Sequence, residues 1–221
     1  VNIAGGKPVF VHCREDNDFK MTPGEFEKAI TPRTKAVVIN SPSNPIGVVY
    51  SGAELKALAG IAVKHGIYII TDEIYEKMIY DNTQHVSIGS FSKEIFEKTV
   101  TVNGFSKAYA MTGWRLGYFA GPPEIVKAVN AFQSHSTSGP NTFAQFGGIE
   151  ALKGPQDCVA EMVKAFSGRR AYIYERLVSI PGVTCVKPMG AFYVLPNISR
   201  FGLASVSFAE QLLEREGVAV V

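Results

Sequence analysis

Lys107 lies in the run Asn103-Gly104-Phe105-Ser106-Lys107-Ala108-Tyr109-Ala110-Met111-Thr112-Gly113-Trp114-Arg115-Leu116-Gly117-Tyr118. Small residues flank the lysine, and Arg115 follows eight positions later. An amine with little bulk around it can form a Schiff base, and a fixed cation can hold an anionic group. Two upstream segments carry further polar residues. Asn44 lies in Ser43-Asn44-Pro45-Ile46-Gly47, and Asp72 and Tyr75 lie in Ile70-Thr71-Asp72-Glu73-Ile74-Tyr75. Asn-Pro marks a turn, and X-Pro is the junction where a cis bond is cheap, so Asn44-Pro45 is a candidate for one. Tyr75, three residues after Asp72, falls on the same face of a helical turn. Glu73 suits an acidic helix N-terminus.

Strand-like and helix-like segments alternate along the chain, which argues for an α/β fold with a largely parallel sheet. Strands are expected at Lys7–His12, Ala36–Asn40, Ile67–Thr71, Thr99–Val102 and Arg115–Ala120. Thr22-Pro23 opens a short helix with Phe26, Ala29 and Ile30 on one face. Ser51 and Glu54 make a capping box for a second helix, with Leu55, Leu58, Ala59 and Ala62 as its apolar stripe and Gly66 as its stop. Helical spacing recurs over Pro123–Gln133, Thr142–Leu152 and Asp157–Val178. Val183–Val186 and Phe192–Leu195 read as a hairpin; Ser207–Glu216 is a helix ended by Gly217, with a last strand after it. Open α/β sheets bind ligands beyond the carboxyl ends of their strands. Asn44, Asp72 with Tyr75, and Lys107 with Arg115 all follow such ends, so one crevice is expected to collect them.

These motifs, in this order, resemble the class I and II aminotransferases, the fold type I enzymes that use pyridoxal 5'-phosphate (PLP). Lysine eight residues before arginine, with glycines at 104, 113 and 117, is similar to their cofactor-lysine signature. The Asn44 loop resembles the family's Asn-Pro-Thr-Gly loop, with Ile46 where threonine is usual. Pro188-Met189-Gly190-Ala191-Phe192-Tyr193 resembles a small-domain hairpin of the aspartate aminotransferase branch. The resemblance implies a fold type I large domain over 1–165, and over 166–221 a long connecting helix and the start of a small α+β C-terminal domain. It implies that Lys107 carries the Schiff base and acts as the proton-transferring base. Asp72 would face the pyridine nitrogen, and Asn44 and Tyr75 would donate to the phenolic oxygen, with Asn44 also near the bound amino acid. Arg115 would hold the phosphate, with Ser106 a minor contact; many relatives carry serine where this chain has Gly104. The implied reaction moves an amino group between an aspartate-like amino acid and a 2-oxoacid, in a cytoplasmic homodimer. A PLP lyase or synthase on the same scaffold, and a non-catalytic effector-binding domain, are the competing readings.

The chain has 221 residues, 46% hydrophobic and 19% charged, with a formal charge of +2. That is a globular composition, and near-neutrality gives no reason to expect a nucleic acid or an anionic membrane as partner. Apolar runs such as Lys35-Ala36-Val37-Val38-Ile39 are strand-sized, far short of the roughly 20 residues that span a bilayer. Cys13, Cys158 and Cys185 are widely spaced, so free thiols are expected rather than a zinc site or disulfides. His12, His65, His85 and His135 are scattered and receive no role. Val1 and Val221 both lie in strand-like sequence, so the chain is expected to be a piece of a longer protein. The family's phosphate loop and stacking aromatic would precede it, and the arginine that clamps the substrate carboxylate would follow it. The piece alone is therefore expected to be weakly active or inactive.

Overall fold

The computed structural model describes residues 1–221. Its centre is a four-stranded sheet of β1 (Ala36–Asn40), β2 (Tyr68–Asp72), β3 (Thr99–Gly104) and β4 (Gly117–Ala120), in that spatial order. β1, β2 and β3 are parallel, and β4 is antiparallel to β3. The helices are α1 (Pro23–Ala29), α2 (Gly52–Lys64), α3 (Lys93–Phe96), α4 (Pro123–Ser136), α5 (Thr142–Lys153), α6 (Asp157–Val178) and α7 (Ser205–Glu216). The chain is α/β, as its alternating pattern indicates.

Local chemistry sets the element boundaries. α1 begins with a full capping box between Thr22 and Glu25, and α2 with one between Ser51 and Glu54. Each box satisfies two amide donors that the first helical turn leaves orphaned. α2 stops at Gly66, whose φ of 68° suits a residue without a Cβ. The α2 stripe Leu55, Leu58, Ala59 and Ala62 packs with Phe26, Ile39, Ile67, Ile69, Ile88 and Ile95 into the main core. Each fully buried leucine or isoleucine contributes about 2 kcal/mol from this burial. α2 and β2 are thereby fixed against each other, and with them the ends of β1 and β2.

Several expected elements differ. Lys7–His12 forms no strand, and Val9 and Phe10 are exposed. β1 is buried on one face only, because α1 and α2 cover Ile39 while Val38 is 64% exposed. The hairpin pairs β5 (Thr184–Cys185) with β6 (Pro196–Asn197), not with Phe192–Leu195. Segment 186–195 is drawn away by other contacts, described below. Nothing after Gly217 enters a sheet.

Arg170 of α6, buried, joins this helix to the rest. Its Nη1 donates to the Pro188 carbonyl at 2.8 Å, and its Nη2 lies 2.6 Å from Asp81 Oδ1. Lys187 reaches the other Asp81 oxygen at 2.9 Å. The hydrogen bonds from Arg170 and Lys187 hold the Asp81 carboxyl down to about 2. A depressed folded-state pKa gives stability that is complete above the unfolded value, near 3.8, and is lost as pH falls through the folded one. Asp81 is over a third exposed, so solvent screens the effect and the gap is modest. Denaturation midpoints of Asp81→Asn and wild type should therefore differ above about pH 4 and converge as pH falls towards 2. A gap that persists unchanged at pH 2 counts against an ionic tether.

Candidate active site

The parallel register aligns the carboxyl ends of the strands: Asn40 pairs with Asp72, and Asp72 with Val102. Three connections leave this edge side by side. The first runs from β1 through Ser41–Val48. The Ser41 amide and the Asn40 side-chain amide both donate to the Asp72 carbonyl, at 3.2 and 3.0 Å. Asn40 Oδ1 in turn accepts from the Asn44 amide at 2.7 Å. Asn44 is thus positioned by Asn40, a residue that no motif singles out. Asn44-Pro45 is cis, as its X-Pro junction allows, and Ser41-Pro42 is cis as well. Gly47 turns this loop at φ 77°, and a Cβ there would sit 2.6 Å from Pro188 Cβ and 2.7 Å from the Gly190 carbonyl. Only glycine permits that approach.

The second connection leaves β2. Asp72 Oδ1 accepts from the Ile74 amide at 3.1 Å, and the chain then turns tightly rather than forming a helix, with Glu76 and Met78 amides donating to the Glu73 and Tyr75 carbonyls. Tyr75 is 2% exposed. Its hydroxyl lies 2.7 Å from the Tyr193 hydroxyl. Burial, the Tyr193 bond and the Asp72 charge push the Tyr75 phenol well above its ordinary value, while the Asn44 amide pulls the other way. Tyr75 therefore keeps its proton at neutral pH and can serve as a donor.

Glu73 overturns the expectation of a helix-end charge. It is 2% exposed and accepts from four groups: Thr71 and Ser87 hydroxyls at 3.2 and 3.1 Å, the Ile88 amide at 3.4 Å, and a bond at 3.1 Å to His85 Nε2. His85 therefore has a partner after all. The carboxylate beside Asp72 pins the β2 exit to segment 85–88.

The third connection links β3 to β4 and carries both Lys107 and Arg115. Gly104 pairs with Gly117, and the Phe105 amide donates to the Leu116 carbonyl, closing the loop at its base. A Cβ at Gly104 would meet Gly117 Cα at 3.1 Å and Ile74 Cδ1 at 3.2 Å, so a side chain there would press on both. Lys107 is half-buried, its Nζ 5.3 Å from the Phe192 ring centre and 5.7 Å from that of Tyr75. It enters no ion pair within the chain. Arg115 adopts a left-handed backbone at φ 52°, uncommon without a Cβ-free residue, and its Nη1 donates to the Thr112 carbonyl at 2.9 Å. It lines an open groove of about 750 Å³ with Trp114, Gln133 and Asn141, whose walls include neither Lys107 nor Asp72. Ser106 is half-buried and its hydroxyl bonds to nothing in the chain.

Segment Pro188–Tyr193 closes the cluster. Met189 and Gly190 amides both donate to the Gly47 carbonyl at 2.8 Å, the Ala191 amide to the Met78 carbonyl at 2.9 Å, and the Tyr80 amide to the Met189 carbonyl at 3.0 Å. These bonds, and the Ile79–Gly190 bridge, stitch it between the first two connections and away from β5. The structure thus gathers Asn44, Tyr75 and Lys107, sets Asp72 at the neighbouring strand end, and places Arg115 farther along the Lys107 loop. Around this edge the Lys107 amine and the Tyr75 phenol can donate, while Asp72 keeps one carboxylate oxygen free to accept.

Known proteins agree with this picture. Residues 1–221 match the family described as aminotransferase class I and II. The chain is 51% identical over 226 residues to an aspartate aminotransferase of Geobacillus stearothermophilus, all of the chain aligning with 58% of that enzyme. It superposes with TM-score 0.96 on an aromatic aminotransferase from Pyrococcus horikoshii, at 43% identity, covering 99% of the chain and 59% of the other. Against an aspartate aminotransferase from Thermus thermophilus with maleate, the TM-score is 0.92 at 45% identity, covering 100% and 57%. The chain spans a little under three-fifths of the relatives it matches, and it belongs to the class I and II aminotransferases, with the fold type I architecture that its motifs implied.

Proposed function

We propose that the protein carrying this chain is a PLP-dependent aminotransferase that moves an amino group between an aspartate-like amino acid and a 2-oxoacid. The observation that carries the reading is Lys107 Nζ, which lies 5.3 and 5.7 Å from the Phe192 and Tyr75 ring centres and has no carboxylate partner. With no carboxylate bonded to it, the amine is left available to a carbonyl group. PLP, when bound, supplies a carbonyl to the amine and an electron-withdrawing ring. Lys107 then removes and returns the proton on the substrate α-carbon. Asp72 would face the ring nitrogen, where its negative charge would favour the protonated form. Asn44 and Tyr75 would donate to the phenolic oxygen, Arg115 would hold the phosphate with its planar fork, and Ser106 would add a minor contact.

The same reading takes from the family resemblance a cytoplasmic homodimer, with a large domain over 1–165 and a connecting helix and partial small domain over 166–221. No helix is long and apolar enough to cross a membrane. An assay of the whole protein with aspartate and 2-oxoglutarate tests the reaction. Glutamate and oxoacid in equal amounts support amino transfer; released ammonia supports elimination instead. Asp72→Ala should lower the rate roughly 10- to 1000-fold, because an adjacent opposite charge shifts a pKa by about 1–3 units and the protonated ring falls in proportion. Asp72→Glu should recover part of that loss, and equal rates in all three proteins would remove Asp72 from the site.

A further inference from the structure

Tyr193 belongs to the run Pro188–Tyr193, and the roles assigned above leave it unused. Its hydroxyl is 2.7 Å from that of Tyr75, across 118 residues of sequence. The two rings meet edge to face, 83° apart with centres 5.8 Å from each other. Phe192 packs edge-on against Tyr75 and stacks on Phe166 of α6. Backbone bonds to Gly47, Met78 and Tyr80 leave the segment little freedom. Tyr193 is therefore delivered to Tyr75 by a rigid frame.

Two hydroxyls in contact share one hydrogen between their oxygens and keep one to give elsewhere. If Tyr75 donates outward, towards the space beside Lys107, it must accept from Tyr193. Such a chain polarises each bond in it. Tyr75 is almost wholly buried, so no water stands in readily for a missing donor. We infer that Tyr193 is a positioning residue that donates to Tyr75, fixes the direction of its proton, and thereby tunes proton affinity at the Lys107 nitrogen. This rests on the proposed PLP chemistry, in which the Tyr75 hydrogen goes to the phenolic oxygen. Weakening that bond raises negative charge on the oxygen and strengthens the hold of the adjacent Lys107 nitrogen on its proton.

The test is the pH titration of the visible absorption of the PLP-loaded whole protein, in wild type, Tyr75→Phe, Tyr193→Phe and the double variant. Both single changes keep the ring packing. Tyr193→Phe should move the colour transition to higher pH by about half a unit, the size expected from one neutral hydrogen bond. Tyr75→Phe should move it further in the same direction, and the double variant should match Tyr75→Phe, since Tyr193 acts only through it. KM for the amino acid should change less than kcat. A shift in Tyr75→Phe with none in Tyr193→Phe overturns the inference while leaving the proposed function standing. So does a Tyr193→Phe shift that adds in full to that of Tyr75→Phe. Absence of any pH-dependent colour in wild type overturns both.

Discussion

Lys107→Ala should lower amino transfer by about four orders of magnitude or more at saturating PLP, because a positioned acid–base group alone is worth 10²- to 10⁴-fold and the covalent attachment is lost with it. The structure offers no substitute. Arg115 is the other cation of the same loop, and a guanidinium stays protonated in a protein and cannot act as a nucleophile or base. Lys107→Arg should for that reason be as inactive as Lys107→Ala, although it preserves charge. Stability tells the roles apart. Lys107 makes no ion pair and only distant contacts with two rings, so its loss should change the unfolding free energy by about 1 kcal/mol or less. Steady-state rates and denaturant unfolding of the same preparations check both halves. A destabilised variant that keeps the wild-type rate would mark Lys107 as structural.

Glu73→Ala should do the reverse and cost stability first. The carboxylate is buried and accepts from two hydroxyls, an amide and His85. Removing it strands those groups in a dry place, where each unsatisfied partner costs about 1–3 kcal/mol. A loss of about 3–5 kcal/mol is expected, typical of breaking a buried polar network by deleting one partner. Glu73→Gln, which keeps two polar atoms, should lose less than half as much. Because Glu73 follows Asp72 directly, residual folded Glu73→Ala should also retain PLP poorly. Denaturation curves against that series measure the first effect, and cofactor retention on gel filtration the second. A Glu73→Ala protein as stable as wild type would show that the hydrogen bonds around this carboxylate contribute nothing net.

The legible part of this molecule is the part written in local sequence. Ser51 with Glu54 and Gly66 bracket α2, and the stripe between them names the core face. Asn40, Asp72 and Gly104 end their strands where an apolar run meets a turn, so Asn44, Asp72 and Lys107 could be assigned to one edge of a sheet before any coordinates. What escaped depends on contacts distant in sequence. His85 and Ser87 meet Glu73 after 12 and 14 residues with no periodic signal. Tyr193 meets Tyr75 across 118. Phe192 and Tyr193 carry strand propensity, yet packing on Tyr75 and Phe166 and backbone bonds to Gly47 outweigh it, and the hairpin forms at Pro196–Asn197 instead. Lys7–His12 and the residues after Gly217 have the composition of strands yet enter no sheet. The eight-residue spacing ties Arg115 to the Lys107 loop, but it reveals neither the left-handed backbone of Arg115 nor the groove it lines.

The most direct test of Lys107 as the covalent anchor is borohydride reduction of the whole protein with PLP, followed by digestion and mass mapping of the pyridoxyl group. The predicted result is a single modified lysine, Lys107, with no modification in Lys107→Ala. A stable adduct on another lysine, or equal labelling of wild type and Lys107→Ala, would contradict it.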